Sequence, residues 1–396
     1  MKFRASWGQL GNENALGKYD FLARISSYND MYMGYVQGAG SNPWTGSIAR
    51  ALENRSLKWE TTDTKNIGFD FGLFGNHLNG NINYYINETR DLLITRRIAP
   101  SAGLDNPTLN VGKMRNQGFE LELNWNDKIN DFEYNVGFNI STIANKVVAL
   151  ANEDQTIYGV GLKYGSEHFP TQTKVGKPIG AFYLYQADGI FQSLEEVQAH
   201  KNSKGELLQP NAQPGDVRFK DMNGDGVIDE DDKTYSGTGI AKVEANLNLG
   251  ASYKGFDFSA VIGSAFGNKL YNGIRYYYEG MNSGSNFLKT TLNAWTPTNT
   301  KTDIPRAVFG DPNQNTREST RFLENGDFVR LRQVQLGYTL PKALSKQIYW
   351  SAENVFTITG YSGANPEFSQ GVLNSGVDRF TYPFSRSYTV GAQVSF

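Results

Sequence analysis

Hydrophobic and polar residues alternate along several stretches of this chain. The clearest alternation covers residues 119–126, 132–140, 245–253 and 388–396, where Phe, Leu, Val, Tyr, Ile and Ala side chains are separated by Asn, Ser, Gly, Gln, Thr or Glu. A period of two places successive side chains on opposite faces of an extended strand. These stretches therefore predict long β-strands whose two faces meet different environments.

The predicted strands are longer than the strands of soluble proteins, which average about five or six residues. Strands of about nine to eleven residues are long enough to cross a membrane at a tilt. The apolar faces carry no charge across their middle, as a lipid-facing surface requires, and the polar faces suit a water-filled lumen. Ten such strands are predicted, at residues 1–9, 57–75, 78–95, 111–127, 131–148, 244–254, 256–272, 327–340, 346–361 and 386–396.

Short and long connections alternate between these ten strands. The long ones cover residues 10–56, 96–110, 149–243, 273–326 and 362–385. Outer-membrane barrels have short periplasmic turns and long extracellular loops. The sequence therefore predicts an all-β fold: part of a transmembrane antiparallel β-barrel with long extracellular loops and both chain ends on the periplasmic side. Because the chain opens within a strand, we expect further strands upstream of this sequence.

Composition supports long amphipathic strands and excludes some classes of function. Aromatic residues make up 13% of the 396 residues, glycine occurs 42 times, and the mean hydropathy is −0.49. The net charge of −2 gives no electrostatic basis for binding nucleic acid. Cysteine is absent, which excludes disulfides and cysteine-liganded metals. No apolar run approaches the roughly 18 residues of a membrane helix, and no apolar signal core follows Met1.

A series of short motifs runs through the whole chain in order. They are Arg4–Gly8 with Gly11-Asn12, Leu57–Thr62, Asn66–Asp70, Thr89–Leu93, Asn116–Glu120, Gly215–Asp221, Tyr253–Phe258, Phe328–Arg332, Leu336–Pro341, Glu353–Phe356 and Tyr382-Pro383. Together they resemble the C-terminal portion of the SusC/RagA family of TonB-linked (TonB-dependent) outer-membrane proteins.

The resemblance implies an architecture and a function for residues 1–396. The family's barrels resemble the large plugged class of roughly 22 strands, and its plug domain and signal peptide have no counterpart in this sequence. The implied function is TonB-dependent import of nutrients, oligosaccharides first and peptides second, across the bacterial outer membrane. The implied partners are outer-membrane lipids, a SusD-like surface lipoprotein acting as a lid, and the TonB complex, which would be contacted through the N-terminal region that is missing here.

An acidic loop at residues 221–232, within the long connection 149–243, matches the calcium loop of an EF-hand at several positions. Oxygen ligands would come from Asp221, Asn223 and Asp225, the carbonyl of Val227, and Asp229 through a water. Asp232 stands where glutamate is usual, and its shorter side chain makes bidentate closure harder. Calcium is therefore expected here, with Mg²⁺ or a metal-free acidic turn as the alternatives.

Aromatic residues in two long connections are candidates for contact with a ligand. They are Trp44 in the first connection, and Tyr276, Tyr277, Tyr278 and Trp295 in the connection 273–326. Their rings would stack on sugars or pack against peptide side chains. The alternative is that they pack the loops themselves or sit at the membrane interface, which tyrosine and tryptophan favour.

No combination of residues indicates an enzyme. His77, His168 and His200 are far apart without ligand spacing, and neither a nucleophile elbow nor a phosphate-binding loop is present. Phe396 resembles the C-terminal aromatic residue that barrel assembly machinery reads. Two other functions stay open: a secreted or surface calcium-binding β-sandwich or carbohydrate-binding module, which would have shorter strands, and a passive porin or adhesin.

Overall fold

The structure is a computed structural model of the chain. It describes residues 1–13, 16, 21–23, 25–28, 46–49, 52–95, 98, 100–151, 155–164, 166–282, 284–340, 345–368 and 370–395. Trp44 and Phe396, both named above, lie outside this part of the chain. No helix within it has the length and apolar content needed to span a membrane.

Strands dominate the described residues. In chain order they are β1 (Lys2–Asn12), β2 (Ile25–Tyr28), β3 (Gly46–Ala49), β4 (Glu60–Leu73), β5 (Leu78–Thr95), β6 (Thr108–Ile129), β7 (Phe132–Thr142), β8 (Ala144–Ala149), β9 (Ile157–Tyr158), β10 (Leu162–Tyr164), β11 (Ser166–His168), β12 (Thr171–Thr173), β13 (Ala181–Leu184), β14 (Ala187–Ile190), β15 (Val217–Phe219), β16 (Thr234–Thr238), β17 (Val243–Tyr253), β18 (Phe256–Phe266), β19 (Lys269–Asn272), β20 (Leu323–Asn325), β21 (Phe328–Thr339), β22 (Ser345–Thr359), β23 (Val377–Asp378) and β24 (Ser387–Ser395).

Short helices occur only between strands in the described part of the chain. Two are α-helical, α1 (Leu194–Ala199) and α2 (Gly273–Tyr278). The 3-10 helices are Phe74–Asn76, Pro100–Ala102, Glu230–Asp232, Lys289–Asn293, Thr320–Phe322 and Val372–Asn374.

The long strands form one sheet in the order β1-β4-β5-β6-β7-β17-β18-β21-β22-β24. Every neighbouring pair is antiparallel, and each strand pairs with the next long strand along the chain. This confirms the ten predicted strands and the alternation of their connections, because β4, β6, β17 and β21 lead into short turns and the other connections are long. At one turn Lys254 and Gly255 both have positive φ, which matches the right-handed twist of a hairpin.

Two predicted strands are interrupted at the end of the sheet where the long connections lie, the long-loop end. The segment 131–148 divides into β7 and β8 at Ile143, and both parts pair with β6. In the segment 256–272 the long strand β18 ends at Phe266, because the backbone turns at Gly267, which has φ +81°. The rest of the segment forms β19, which pairs with β20 and β23 in a separate small sheet. Near the first break Gly118 is required, since a Cβ there would lie 1.8 Å from the carbonyl oxygen of Thr142.

The register aligns side chains of like polarity across the sheet. One row of facing positions is apolar across most strands and runs Phe71, Gly80, Leu123, Phe138, Leu247, Ile262, Leu331 and Phe356. The adjacent row faces the other way, carries only polar residues and glycine, and runs Lys2, Asp70, Asn81, Glu122, Asn139, Asn246, Gly263, Arg330 and Thr357. The sheet therefore has one apolar and one polar face.

The apolar face is open to its surroundings. Large side chains on it, including Phe3, Ile67, Phe119 and Phe356, are exposed. A β-sandwich would bury such a face against a second sheet, and no second sheet covers it among the described residues. This argues against the secreted sandwich that the sequence left open.

Aromatic residues form a row near the short-turn end of the same face. Phe132, Tyr253, Phe256 and Tyr338 occupy facing positions, and the Phe256 and Tyr338 ring centroids lie 4.5 Å apart. Aromatic girdles at this level flank the apolar band of membrane barrels.

Candidate functional site

Three long connections fold together at the long-loop end. Their shared apolar cluster, here called the loop core, combines residues from 150–242, 267–327 and 360–386. Its buried members are Leu162, Phe182, Leu184, Tyr271, Tyr276, Phe322 and Val377. β23 pairs in parallel with β19, so the backbone also joins two of these connections. The long connections are therefore a packed structure, and any site within them is held by long-range contacts.

A buried ion pair joins the first two of these connections. The Nζ atom of Lys233 lies 2.5 Å from Oε1 of Glu318, and both side chains are almost inaccessible to solvent. The other carboxylate oxygen of Glu318 is paired with Nδ1 of His168. Burial alone would raise the pKa of Glu318, but the hydrogen bond with His168 and the charge of Lys233 hold that pKa down to about 2. The carboxylate is therefore ionised inside the loops.

A second buried carboxylate, that of Asp216, joins the same two connections. Its two oxygens accept hydrogen bonds from Nε and Nη2 of Arg306 at 2.8 and 3.0 Å, and Oδ1 also accepts one from Asn315 at 3.0 Å. Bidentate guanidinium pairing fixes orientation as well as distance. Trp295 packs directly on Gly215, where a Cβ would lie 2.4 Å from its ring.

A third buried carboxylate, Glu279, lies within the connection 267–327. It accepts hydrogen bonds from Arg275 at 3.1 Å and from Arg321 at 2.9 Å on one oxygen, and from Thr290 at 3.0 Å on the other. Every oxygen atom of Glu318, Asp216 and Glu279 thus has at least one protein partner. These contacts hold the loops in place.

A cavity of about 920 Å³ lies between the polar face of the sheet and the loops. Its floor includes Leu92, Met114 and Val147 from β5, β6 and β8, and loop residues including Ile157 and Val372 close it from above. This volume falls within the range of small-molecule sites, about 300–1,000 Å³. We call it the aliphatic cavity because most of its lining side chains are aliphatic.

Hydrogen bonds fix the roof of the aliphatic cavity to the sheet and to the third connection. The backbone N–H of Ile179 donates to Oδ1 of Asn145 at 2.8 Å, and Asn145 donates in turn to Asn116 on β6. The hydroxyl of Thr171 donates to the carbonyl of Leu373 at 2.8 Å. The cavity is therefore shaped by tertiary contacts and is already formed in this structure.

The few polar groups of the cavity are mostly used by the protein itself. Glu60 accepts from the N–H of Leu93 at 3.0 Å, and the hydroxyl of Thr173 accepts from the N–H of Gly180 at 2.9 Å. The side-chain oxygen of Gln155 is different, because it is buried and has no hydrogen-bond partner among the described residues. A buried acceptor without a partner is costly, and a ligand donor would satisfy it.

The acidic loop 221–232 forms a set of side-chain caps on its own backbone. Asp221 accepts from the N–H groups of Gly224 at 2.6 Å and Gly226 at 2.9 Å. Asp232 is buried and accepts from the N–H groups of Met222 and Asp229 at 2.6 and 2.8 Å.

The remaining expected ligands of this loop follow the same pattern. Asp225 accepts from the N–H of Val227, Asn223 from that of Asp225, and Asp229 from that of Asp231. The described side chains contain no group of three or more acidic or histidine residues arranged to hold a metal. Calcium binding at this loop stays a prediction.

The aromatic candidates differ in their exposure. Tyr276 is 1% exposed in the loop core, and Trp295 is 8% exposed with its Nε1 donating to Gln192 at 2.9 Å. Tyr277 and Tyr278 pack against Phe380, and Tyr278 is partly exposed. The rings of Tyr276 and Trp295 are covered by the protein and pack the loops in this structure, and contact of these residues with a ligand stays a prediction.

Comparison with known proteins agrees with the sheet. Residues 2–355 match the family model described as TonB dependent receptor-like, beta-barrel. The chain belongs to the TonB-dependent receptor β-barrel family. It is 30% identical to TonB-dependent receptor P3 of Formosa agariphila and 27% identical to TonB-dependent receptor SusC of Bacteroides thetaiotaomicron. Both alignments cover all of this chain but only 39% and 37% of the relatives.

Solved structures of RagAB transporters share the fold of this chain. It resembles the RagAB peptide transporter with a TM-score of 0.78 at 25% identity, over all of this chain and 40% of that one. The RagAB peptide importer in its open-open state gives a TM-score of 0.74. The resemblance to the SusC/RagA family is thereby confirmed. The chain spans about 40% of the length of these relatives, and the family is one of receptors and not of enzymes.

Sequence reasoning missed the aliphatic cavity in this receptor-family chain. Met114 and Val147 face each other across β6 and β8 on the face that is polar elsewhere in the sheet. That break in the alternation was the available signal. The loop half of the cavity, including Gln155 and Val372, had no local signal because it depends on how distant connections pack.

Proposed function

We propose that this chain is the C-terminal wall of an outer-membrane barrel that imports oligosaccharides or peptides in a TonB-dependent way. The observation that carries the proposal is the continuous, exposed apolar face of the ten-strand sheet, with its aromatic row at one end. Such a face is stable in lipid and would aggregate in water. The long connections would then lie outside the cell and the short turns in the periplasm.

The polar face of the sheet and the packed connections favour an importer over a passive porin as the function. Polar rows line the lumen side of the sheet, while the loop core and three buried carboxylates hold the long connections over one end. A folded loop structure above a polar lumen suits controlled entry of a ligand. Partners of such a receptor would be the surrounding lipids, a SusD-like surface lipoprotein above the loops, and TonB, contacted by parts of the protein outside this chain.

Uptake in cells tests this function. A strain expressing the full-length receptor should accumulate a labelled oligosaccharide or peptide pool, and deleting either the receptor gene or TonB should abolish the accumulation. Accumulation that persists without TonB but needs the receptor would instead support the passive porin. Loss of surface adhesion without any change in uptake would support the adhesin.

A further inference from the structure

We propose that the aliphatic cavity is a subsite for the aliphatic side chains of a peptide, with the side-chain amide of Gln155 accepting a peptide N–H. This inference rests on the proposed import function and narrows its substrate class. The cavity is preformed, partly enclosed and about 920 Å³ in volume. It lies on the lumen side of the sheet, at the end where the long connections fold together.

The lining of the cavity favours aliphatic groups. Side chains such as Leu92, Ile94, Met114 and Ile157 present methyl and methylene groups from both the sheet and the loops. Transfer of an aliphatic side chain from water to such a surface is favourable in proportion to the apolar area that it buries.

The same lining disfavours an oligosaccharide. Sugars carry hydroxyl groups around each ring, and a hydroxyl buried without a hydrogen bond loses its hydration with no compensation. Oε1 of Glu60 and the hydroxyl of Thr173 already accept backbone N–H groups, and Oε2 of Glu60 accepts from the side-chain amide of Asn12. Tyr158 is the single aromatic side chain among the described lining residues, so a stacking platform for several sugar rings is lacking.

The polar groups of the cavity favour binding of a peptide over binding of a fatty acid. Gln155 provides an unpartnered buried acceptor, which matches a main-chain N–H. Glu60 lines the same cavity and has no cationic partner among the described side chains. A fatty acid brings a carboxylate, which Glu60 would repel, and it has no N–H for Gln155.

Two matched variants test the subsite in the full-length receptor purified in detergent. Val372 lines the cavity and is 66% exposed, so Val372→Asn should fold normally and place an amide at the cavity wall. Val160 is 48% exposed in the connection that forms the roof and is absent from the cavity wall, so Val160→Asn is the control. The probes are the peptide Ala-Leu-Leu-Ala, its polar counterpart Ala-Asn-Asn-Ala, maltoheptaose and lauric acid.

The expected result is binding of Ala-Leu-Leu-Ala at least tenfold tighter than that of the other three probes. Val372→Asn should weaken it at least tenfold and Val160→Asn should leave it unchanged. Gln155→Leu should also weaken Ala-Leu-Leu-Ala, without weakening lauric acid. The proposal is overturned by preference for maltoheptaose or lauric acid, by equal effects of the two valine variants, or by absence of peptide binding.

Failure of the subsite and failure of import give different results. Peptide binding that depends on Val372, in a receptor whose deletion leaves cellular uptake unchanged, retains the subsite and removes the import function. TonB-dependent uptake of an oligosaccharide, with no peptide binding, retains import and removes the subsite.

Discussion

Lys233 and Glu318 form a buried ion pair, 2.5 Å between Nζ and Oε1, although they are 85 residues apart in the chain. The pair joins the long connection 150–242 to the long connection 267–327. It is therefore a direct probe of whether these loops behave as one unit.

Removing the carboxylate should loosen both connections. Glu318→Ala leaves the exposed Glu230 as the remaining carboxylate partner of Lys233 among the described residues, and breaking a buried ion pair typically costs about 3–5 kcal/mol. Limited proteolysis of the full-length receptor should then cut within both 150–242 and 267–327. Glu133→Gln, which breaks an exposed pair with Lys128 at a short turn, should change nothing. Cutting confined to one connection would show that the loops are independent.

Acid should loosen the same loops over a defined pH range. The pKa of Glu318 is depressed to about 2 in the folded protein, against about 4.3 in an unfolded chain. A carboxylate whose pKa is lower in the folded protein stabilises the fold fully at pH values above its pKa in the unfolded chain. This stabilisation is lost as the pH falls towards the pKa in the folded protein. Pepsin sensitivity of the loops should therefore rise between about pH 4 and pH 2. In Glu318→Gln this rise should be smaller, and an equal rise in both proteins would assign it to other carboxylates.

The two faces of the sheet should respond oppositely to a charge. Leu123 lies in the apolar row and Asn124 follows on the polar face, where it donates to Glu122 at 3.0 Å. An arginine facing lipid near the middle of the membrane costs about 2–4 kcal/mol. Leu123→Arg should reduce the amount of heat-resistant barrel on a gel, and Asn124→Arg should not. The opposite order would mean that the faces are reversed.

The orientation in the membrane can be measured with single cysteines, since this chain has none. Lys204→Cys lies in the connection 150–242, and Lys128→Cys lies at the end of β6 beside a short turn. In intact cells with a cysteine-free full-length receptor, an impermeant maleimide should label position 204 and not position 128. Both should be labelled after lysis. Labelling of position 128 in intact cells would contradict the proposed topology.

Calcium at the loop 221–232 is tested by comparing protection with and without chelator. If the metal binds, the wild-type connection 150–242 should be more resistant to protease in calcium than in EDTA, and Asp221→Ala with Asp225→Ala should remove that difference. Asp221 also caps the N–H groups of Gly224 and Gly226, so only the calcium-dependent part of the protection is informative. Equal protection of the wild type in both conditions would indicate a metal-free turn.

The sheet was predictable because its signal is local. Alternation at residues such as Phe119 and Leu121 fixes which face each side chain takes, and the number and order of the long strands follow from it. The loops were not predictable in the same way. Nothing near His168 in the sequence indicates that it pairs with Glu318, 150 residues later.

In the candidate site, too, features with a local sequence signal were predictable and features that depend on distant contacts were not. The acidic loop could be found because its motif is contained within twelve residues, from Asp221 to Asp232. The burial of Tyr276 and Trp295 depends on distant partners, and a tyrosine or tryptophan in a loop reads the same whether it is covered or exposed. Half of the aliphatic cavity was visible only as two apolar residues, Met114 and Val147, on a polar face.

The loop core has a consequence for the order in which the protein assembles. Leu162, Tyr271 and Val377 come from three separate connections, and Val377 is followed closely by β24. Contacts between residues so far apart form slowly, because a long stretch of chain must be ordered before they are made. The core cannot be completed until the segment before β24 has arrived. Protease resistance of the long connections should therefore develop late, after most of the strands have already paired.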